Sequence, residues 1–190
     1  MTVPVSTPTR ARRADAVRNE LRVLEAAREV FAERGLSAGI DEVAARAGVG
    51  KATIYRTWAT KHELVTAVVG ARVDWFTERA LLAVEAPDRW VALVALLHDS
   101  AASAARSALL NAGLSAATYD PVLEAKRVQS RAALQQLLDA LATEGRVPPE
   151  VTARHVLVLL CGAFRTLAEE GVTDPNEWRR YAELVLAALR

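Results

Sequence analysis

Prolines and glycines divide the C-terminal half of the chain into segments of helical length. Pro121, Pro149 and Pro175 each stand where a helix would begin, a position at which the N–H that proline lacks is not needed. Gly145 and Gly171 each follow such a segment, and glycine readily takes the left-handed conformation that ends a helix. This pattern predicts helices over residues 121–144, 149–170 and 175–190.

The first half of the chain carries similar boundaries. Thr60 and Glu63 form a capping-box pattern at the start of a helix that is expected to run to residue 84. Another helix is predicted over 88–106. From about residue 15 to 34 an apolar stripe at helical spacing predicts an amphipathic helix. The members of this stripe are Val17, Leu21, Leu24, Ala27 and Phe31.

Composition agrees with a helical, globular chain. Hydrophobic residues make up 52% and aromatic residues 5%, and alanine is abundant, which favours helix over sheet. The chain is therefore predicted to be all-α. Residues 1–12 are expected to be disordered, and residues 107–120 to form a short irregular helix or a loop.

Cysteine, histidine and apolar-run patterns restrict the functional classes. The one cysteine, Cys161, excludes an internal disulfide and is expected to be a small buried residue. The pair His62-Glu63 begins a zinc-protease motif, but Thr66 stands where the second histidine is required. We expect no catalytic residues, no metal and no cofactor. No signal peptide or run of about 18 apolar residues occurs, which predicts a cytoplasmic protein without a membrane span.

The stretch GVGKAT, residues 48–53, resembles part of a phosphate-binding loop but fails its pattern. Ala45 and Ala52 occupy positions where that loop requires glycine and a hydroxyl residue, and the preceding IDEVAARA is helical in pattern. Two short helical segments, 40–48 and 51–58, instead flank a glycine turn at Gly48. This arrangement predicts a helix-turn-helix with a compact interior. Its expected members are Val43, Ala44, Ala47, Val49 and Ile54.

VLEAAREVFAERG followed by IDEVAARAGVGKATIYRTWATKHEL resembles the N-terminal domain of the TetR family of bacterial transcriptional repressors. The similarity runs from about Leu21 to Leu64. It implies a homodimer in which residues 51–58 enter the major groove of double-stranded DNA, and a C-terminal domain whose small-molecule effector releases the DNA. We therefore expect a disordered basic arm over 1–14, a DNA-binding domain over 15–64 and a ligand-binding and dimerisation domain over 65–190.

The polar face of the second motif helix supplies the expected DNA contacts. A recognition helix needs a polar, exposed side that can reach base edges and phosphates. Trp58 is expected to pack in the core, and Lys61 to hold a phosphate beside the next helix. The predicted DNA-binding residues are Lys51, Ala52, Thr53, Tyr55, Arg56, Thr57 and Lys61.

Three residues depart from the family pattern. Gly39 and Gly50 stand where a capping Ser or Thr is common, and glycine caps less firmly. Asp41 places a carboxylate where it would repel phosphate. Arg12 and Arg13 either compensate along the DNA backbone or belong to a disordered tail.

Candidate effector and dimer residues lie in the second domain. For each of them ordinary packing is the competing interpretation. A mixture of aromatic residues with little charge indicates a hydrophobic or aromatic effector, with candidates Trp75, Phe76, Trp90, His98, Asn111, Tyr119 and Arg165. The stretch HVLVLLCGAF is apolar nearly all round, which favours a four-helix dimer contact. The candidates for that contact are Leu157, Leu160, Cys161, Phe164, Trp178, Tyr181 and Val185.

Two other functions remain open on the sequence alone. One is a small-molecule-binding protein on the same scaffold that does not read specific DNA, which Gly50 and Asp41 favour. The other is an all-helical enzyme, which the absence of a recognisable nucleophile–base pair or metal cluster disfavours.

Overall fold

A computed structural model describes residues 10–107 and 120–190, with side chains from residue 15 onward. These residues form eight α-helices and one short 3-10 turn, Gly35–Ser37, without a β-strand. The all-α prediction is confirmed. The helices are α1 (Arg10–Arg34), α2 (Ile40–Ala47), α3 (Lys51–Thr57), α4 (Lys61–Val84), α5 (Arg89–Arg106), α6 (Pro121–Thr143), α7 (Ala153–Glu169) and α8 (Pro175–Ala187).

Side-chain caps set most of the helix starts that the sequence predicts. The Thr60 hydroxyl accepts a hydrogen bond from the Glu63 N–H at 3.1 Å, and the Asp88 carboxylate accepts one from the Val91 N–H at 3.0 Å. Asp120 caps α6 in the same way. Each cap satisfies an N–H that the first helical turn leaves without a partner.

Two helix starts differ from the prediction. Helix α1 begins at Arg10, so residues 10–14 of the arm predicted to be disordered are helical. No proline or glycine lies between Pro8 and Gly35, and the alanines and arginines of residues 10–14 are strong helix formers. Helix α7 begins at Ala153 instead of Pro149, because the Thr152 hydroxyl accepts from the His155 N–H and caps the helix there.

The apolar side chains form two separate cores. The first joins α1 to α4 and contains Phe31, Val43, Ile54 and Leu64, each at most 1% exposed. The second joins the later half of α4 to α5–α8 and contains Leu97, Leu134, Leu137 and Trp178. The apolar stripe predicted on α1 does not reach the core at its N-terminal end. Val17 is 55% and Leu21 61% exposed, because no described element of the chain covers that part of the helix.

Helix α4 connects the two cores. Its Leu64, Val65 and Val68 belong to the first core, whereas its Ala80 and Ala83 belong to the second. At 1.5 Å per residue, its 24 residues span about 36 Å. Helix α6 packs along the middle of α4. Within the described part of the chain, no helix is both long enough and apolar enough to cross a membrane.

The turn between α2 and α3 contains two glycines, Gly48 and Gly50, and only the first has a backbone conformation that requires glycine. Gly48 has φ +65°, and its N–H donates to the carbonyl oxygens of Ala44 and Ala45. Gly50 precedes α3 in an extended conformation with φ −75°, and a Cβ there would meet open space. Of the two glycines in this turn, Gly48 alone therefore depends on the conformational freedom of glycine.

We predict that Gly48→Ala lowers the free energy of unfolding by about 1–2 kcal/mol, since L-residues are strained in the left-handed region. The matched variant is Gly50→Ser. It should be neutral or stabilising by a few tenths of a kcal/mol, because serine caps a helix slightly better than glycine. Chemical denaturation followed by circular dichroism measures both. Equal destabilisation by the two substitutions would contradict this account of the turn.

Candidate nucleic-acid interface

Helix α3 presents a polar side to solvent and an apolar side to the first core. Ile54 is 1% and Trp58 7% exposed, and these two residues fix the rotation of the helix. The side chains predicted to contact DNA therefore face outward, except Thr53, which is half-buried. The exposed members are Lys51, Ala52, Tyr55, Arg56 and Thr57.

The first helical residue of α3 is paired with the start of α2. The Lys51 ammonium forms an ion pair with the Asp41 carboxylate across the glycine turn. Both side chains remain more than half exposed, at 55% and 64%. The carboxylate that departs from the family pattern thus neutralises one of the cations that the recognition helix would offer to DNA.

Helix α2 is held at its start by a carboxylate rather than by a capping hydroxyl. The Gly39 N–H donates to Glu42 Oε1 at 2.9 Å, and the Arg34 guanidinium pairs with the same carboxylate. The hydrogen bond from Gly39, followed by the positive charge of Arg34, keeps the pKa of Glu42 below its usual range. This side chain does at Gly39 part of what a serine or threonine cap would do.

A second carboxylate cluster fixes the other end of α2 to α1. Arg46 donates to Glu29 Oε2 at 3.0 Å and to Glu33 Oε2 at 2.8 Å. The hydrogen bond from Arg46 lowers the pKa of Glu33. These partners lie 13 and 17 residues from Arg46 in the chain, and sequence reasoning missed the cluster because no local spacing links them.

Lys61, which is predicted to hold a phosphate, is half-buried and already has a partner inside the domain. Its ammonium donates to the Leu36 carbonyl oxygen and lies 5.9 Å from the centre of the Phe31 ring. Next to it, the Ala59 N–H before α4 donates to the Glu63 carboxylate, and the Glu63 N–H donates to the Thr60 hydroxyl. Lys61 holds the loop between α1 and α2 against the core, and a phosphate would have to compete with that contact.

One cation among the described side chains of residues 15–64 has no partner inside the domain. Among the lysine and arginine side chains described between residues 15 and 64, Arg56 has no hydrogen-bond or ion-pair partner, whereas every other one has. Arg56 lies on the exposed side of α3 beside Tyr55, which is 47% exposed. An unpaired guanidinium on such a helix can donate two hydrogen bonds to a guanine edge or to a phosphate.

The predicted effector residues occupy different environments in the second domain. Trp75 and Phe76 are half-buried on α4, and the Arg79 guanidinium lies 5.7 Å from the Trp75 ring centre. Trp90 is buried, with the guanidinium groups of Arg146 and Arg190 at 5.9 and 5.0 Å from its ring centre.

The remaining effector candidates divide into three cases. The His98 Nε2 atom is buried without a hydrogen bond and lies 3.8 Å from Glu183. Arg165 was expected inside the domain but is exposed and pairs with Glu169, because it lies on the outer side of α7. Asn111 and Tyr119 lie outside the described residues.

Four of the predicted dimer residues belong instead to the core of the single chain, which corrects their assignment. Trp178 is fully buried and Phe164 6% exposed, with their ring centres 5.5 Å apart, so neither has surface left for a partner. Leu160 is likewise buried at 2%, and Val185 is buried at 6% with its remaining surface at the edge of the groove between α7 and α8. Helical periodicity shows that these residues share one side of α7 and α8. Because the opposite side is apolar as well, periodicity does not show which of the two sides faces the core.

The outward stripe of the same two helices is also apolar. Val158, Leu159 and Leu184 are 50–62% exposed and were not selected from the sequence. Tyr181 is exposed beside them, and Leu157 is half-buried. Cys161 is exposed as well, which contradicts the buried position expected for it. A shallow groove between α7 and α8 follows this stripe, lined by Leu159, Ala163, Tyr181, Leu184, Val185 and Ala188.

Comparison with known proteins supports the same domain and the same overall architecture. Residues 23–68 match the profile of bacterial regulatory proteins of the TetR family. The HTH-type transcriptional activator FasR of Mycolicibacterium smegmatis is 49% identical over 53 residues. That alignment covers 27% of this chain and 24% of FasR, so the chain spans about a quarter of that curated relative.

Two solved structures extend the similarity to nearly the whole chain. A TetR transcription regulatory protein from Mycobacterium vanbaalenii is 32% identical, with 94% of this chain and 98% of that chain covered and a TM-score of 0.69. FadR from Bacillus subtilis, solved with stearoyl-CoA, is 16% identical with 90% and 97% covered and a TM-score of 0.67, a likeness of fold alone. On the identity and coverage of the first of these structures, the chain belongs to the TetR family of bacterial transcriptional regulators.

Proposed function

We propose that the protein is a homodimeric repressor that binds a palindromic operator through α3 of each protomer and is released by a small apolar effector. The observation that carries the proposal is the exposed side of α3, where Arg56 stands without a partner beside Tyr55 and Thr57. The two separate cores support a DNA-binding unit over 15–64 and an effector and dimer unit over 65–190. A non-enzymatic, cytoplasmic role is part of the same proposal.

Different members of the exposed face are suited to different parts of DNA. Arg56 matches the two acceptors of a guanine edge, and the hydroxyls of Tyr55 and Thr57 suit phosphate oxygens. Ala52 can lie against a thymine methyl group. Lys51 would first have to leave Asp41, and the half-buried Thr53 offers only part of its side chain.

The dimer is proposed to form through the outward stripe of α7 and α8. A stripe that exposes Val158, Leu159 and Leu184 leaves apolar area in water that association would bury. A twofold axis between such helices would present two copies of α3 to successive major grooves, about one DNA turn apart. Tyr181 and Cys161 remain candidates for the contact, since both are exposed.

The effector is proposed to be hydrophobic or aromatic and to bind beside α4. Trp75 and Phe76 lie half-buried on that helix, which also carries part of the first core. A molecule held there could move the start of α4 and with it α3. The stearoyl-CoA bound by the structurally similar FadR is a precedent for an acyl chain as the apolar ligand.

A second candidate function is binding of a small molecule without specific reading of DNA. It is favoured by the ion pair between Asp41 and Lys51, which cancels one cation of the recognition helix. Selection of bound duplexes from a random library separates the two functions. A regulator enriches a palindrome, whereas the alternative enriches no sequence.

We predict that Arg56→Ala weakens binding to the enriched operator by about 1–3 kcal/mol, the value of one bidentate contact to a base pair. Titration of a labelled duplex measures the change. Arg154→Ala is the matched control, because it removes an exposed arginine from α7 and should leave binding unchanged. Equal affinities of wild type and Arg56→Ala would exclude Arg56 from the interface.

We predict that Leu184→Glu produces monomers that bind the operator weakly, since a charge would be buried at the association surface. Sedimentation velocity measures the oligomeric state. Leu82→Glu is the control, since Leu82 is 60% and Leu184 58% exposed but Leu82 lies on α4. The proposed interface is wrong if Leu184→Glu sediments like the wild type.

We predict that an apolar ligand such as a long-chain acyl-CoA raises the melting temperature of the wild type and lowers its operator affinity. Saturation at 100 times Kd corresponds to about 2.7 kcal/mol of stabilisation. Phe76→Ala should remove most of this rise, whereas Val91→Ala, at an exposed position of α5 outside both proposed sites, should retain it. A rise that Phe76→Ala leaves intact would place the ligand elsewhere.

A further inference from the structure

We propose that Asp41 is a selectivity residue, which withdraws Lys51 from general phosphate binding and so lowers the affinity for non-operator DNA. The inference rests on the proposed DNA-binding function and adds a residue that acts against binding. It starts from the ion pair that joins the second residue of α2 to the first residue of α3.

The position of the pair makes it a competitor for DNA. Both side chains are more than half exposed, so a phosphate can approach the same ammonium that the carboxylate holds. Exposed ion pairs are weak and are screened by salt, so the contact can open when a better partner arrives. Asp41 and Lys51 therefore form a reversible contact and not a structural one.

Non-operator DNA is the poorer competitor. Binding without base recognition depends on phosphate neutralisation by lysine and arginine. While Lys51 is paired with Asp41, the two charges cancel and the pair does not attract a phosphate. A phosphate that binds Lys51 instead also lies close to the Asp41 carboxylate, which repels it. An operator can add base-edge acceptors such as guanine O6 and N7, which phosphates alone do not provide.

The surrounding charges increase the importance of this one pair. Arg34 and Arg46 are held by carboxylates, and Lys61 is held by a backbone carbonyl. On α3, Asp41 alone determines whether the Lys51 ammonium can bind a phosphate. Arg56, the other cation of this helix, has no such partner. Removing the Asp41 carboxylate should therefore increase the affinity for non-operator DNA more than removing a carboxylate far from α3 does.

The test measures binding of the full chain to a mixed-sequence duplex of about 20 base pairs over a range of salt concentrations. Asp41→Asn should bind this duplex about three- to tenfold more tightly than the wild type at low salt. The plot of log affinity against log salt should be steeper by about 0.9, the release expected for one more phosphate contact. The gain should be smaller for an operator duplex, so that the ratio of specific to non-specific affinity falls.

Two further variants isolate the mechanism. In a Lys51→Ala background, Asp41→Asn should give only a small gain and no change in the salt slope. Glu78→Gln alters the net charge equally at an exposed position on α4, about 26 Å along the helix from Lys61, and should give no gain. Thermal unfolding of each variant checks that a change in affinity does not follow from a change in stability.

The outcomes are distinguishable. If no variant, including the wild type, binds any duplex, the proposed DNA-binding function itself is wrong. If the wild type binds and Asp41→Asn binds equally or more weakly, only the inference is overturned. A full gain that persists in the Lys51→Ala background would also overturn it, because Asp41 would then act on DNA without withdrawing Lys51.

Discussion

Burial of Ile54 and Trp58 beneath α3 is the contact on which the arrangement of the DNA-binding domain depends. Helices of eight and seven residues, such as α2 and α3, are too short to be stable alone in water. Both are therefore stabilised by the apolar core that α1 and α4 complete. Because Ile54 fixes the rotation of α3, it also determines that Tyr55, Arg56 and Thr57 face outward.

The glycine turn makes this burial possible. The left-handed Gly48 ends α2 with its own N–H bonded to the preceding turn, and α3 then starts three residues later, at Lys51. The small side chains of Ala44 and Ala47 lie in the same interior and let the two helices cross closely. A longer connection or a larger residue at these positions would move α3 away from the core and with it the polar face.

Ion pairs and hydrogen bonds within the domain then determine which of its cations can bind DNA. Arg46 is used to hold α2 against α1, and Lys61 is used to hold the loop before α2. Lys51 is shared with Asp41, and Arg56 remains available. Residues 15–64 hold eight Lys or Arg residues and eight Asp or Glu residues, and most of these cations are paired within the domain. Where the described residues 15–64 offer few free cations, DNA binding through α3 is expected to depend more on base contacts than on phosphates, which favours specificity over affinity.

The sequence by itself determined the helical content, most helix boundaries, the glycine turn and the polar side of α3. These features follow from local physics: caps, proline and glycine conformations, and the periodicity of apolar residues. The tertiary structure alone decided that Val17 and Leu21 are exposed, that Lys61 points inward and that Leu160, Phe164 and Trp178 belong to the core of one chain. It also decided that Lys51 pairs with Asp41 and Arg46 with Glu29 and Glu33. Each of these depends on which distant elements come together, and periodicity along one helix carries no information about the neighbour that covers each side.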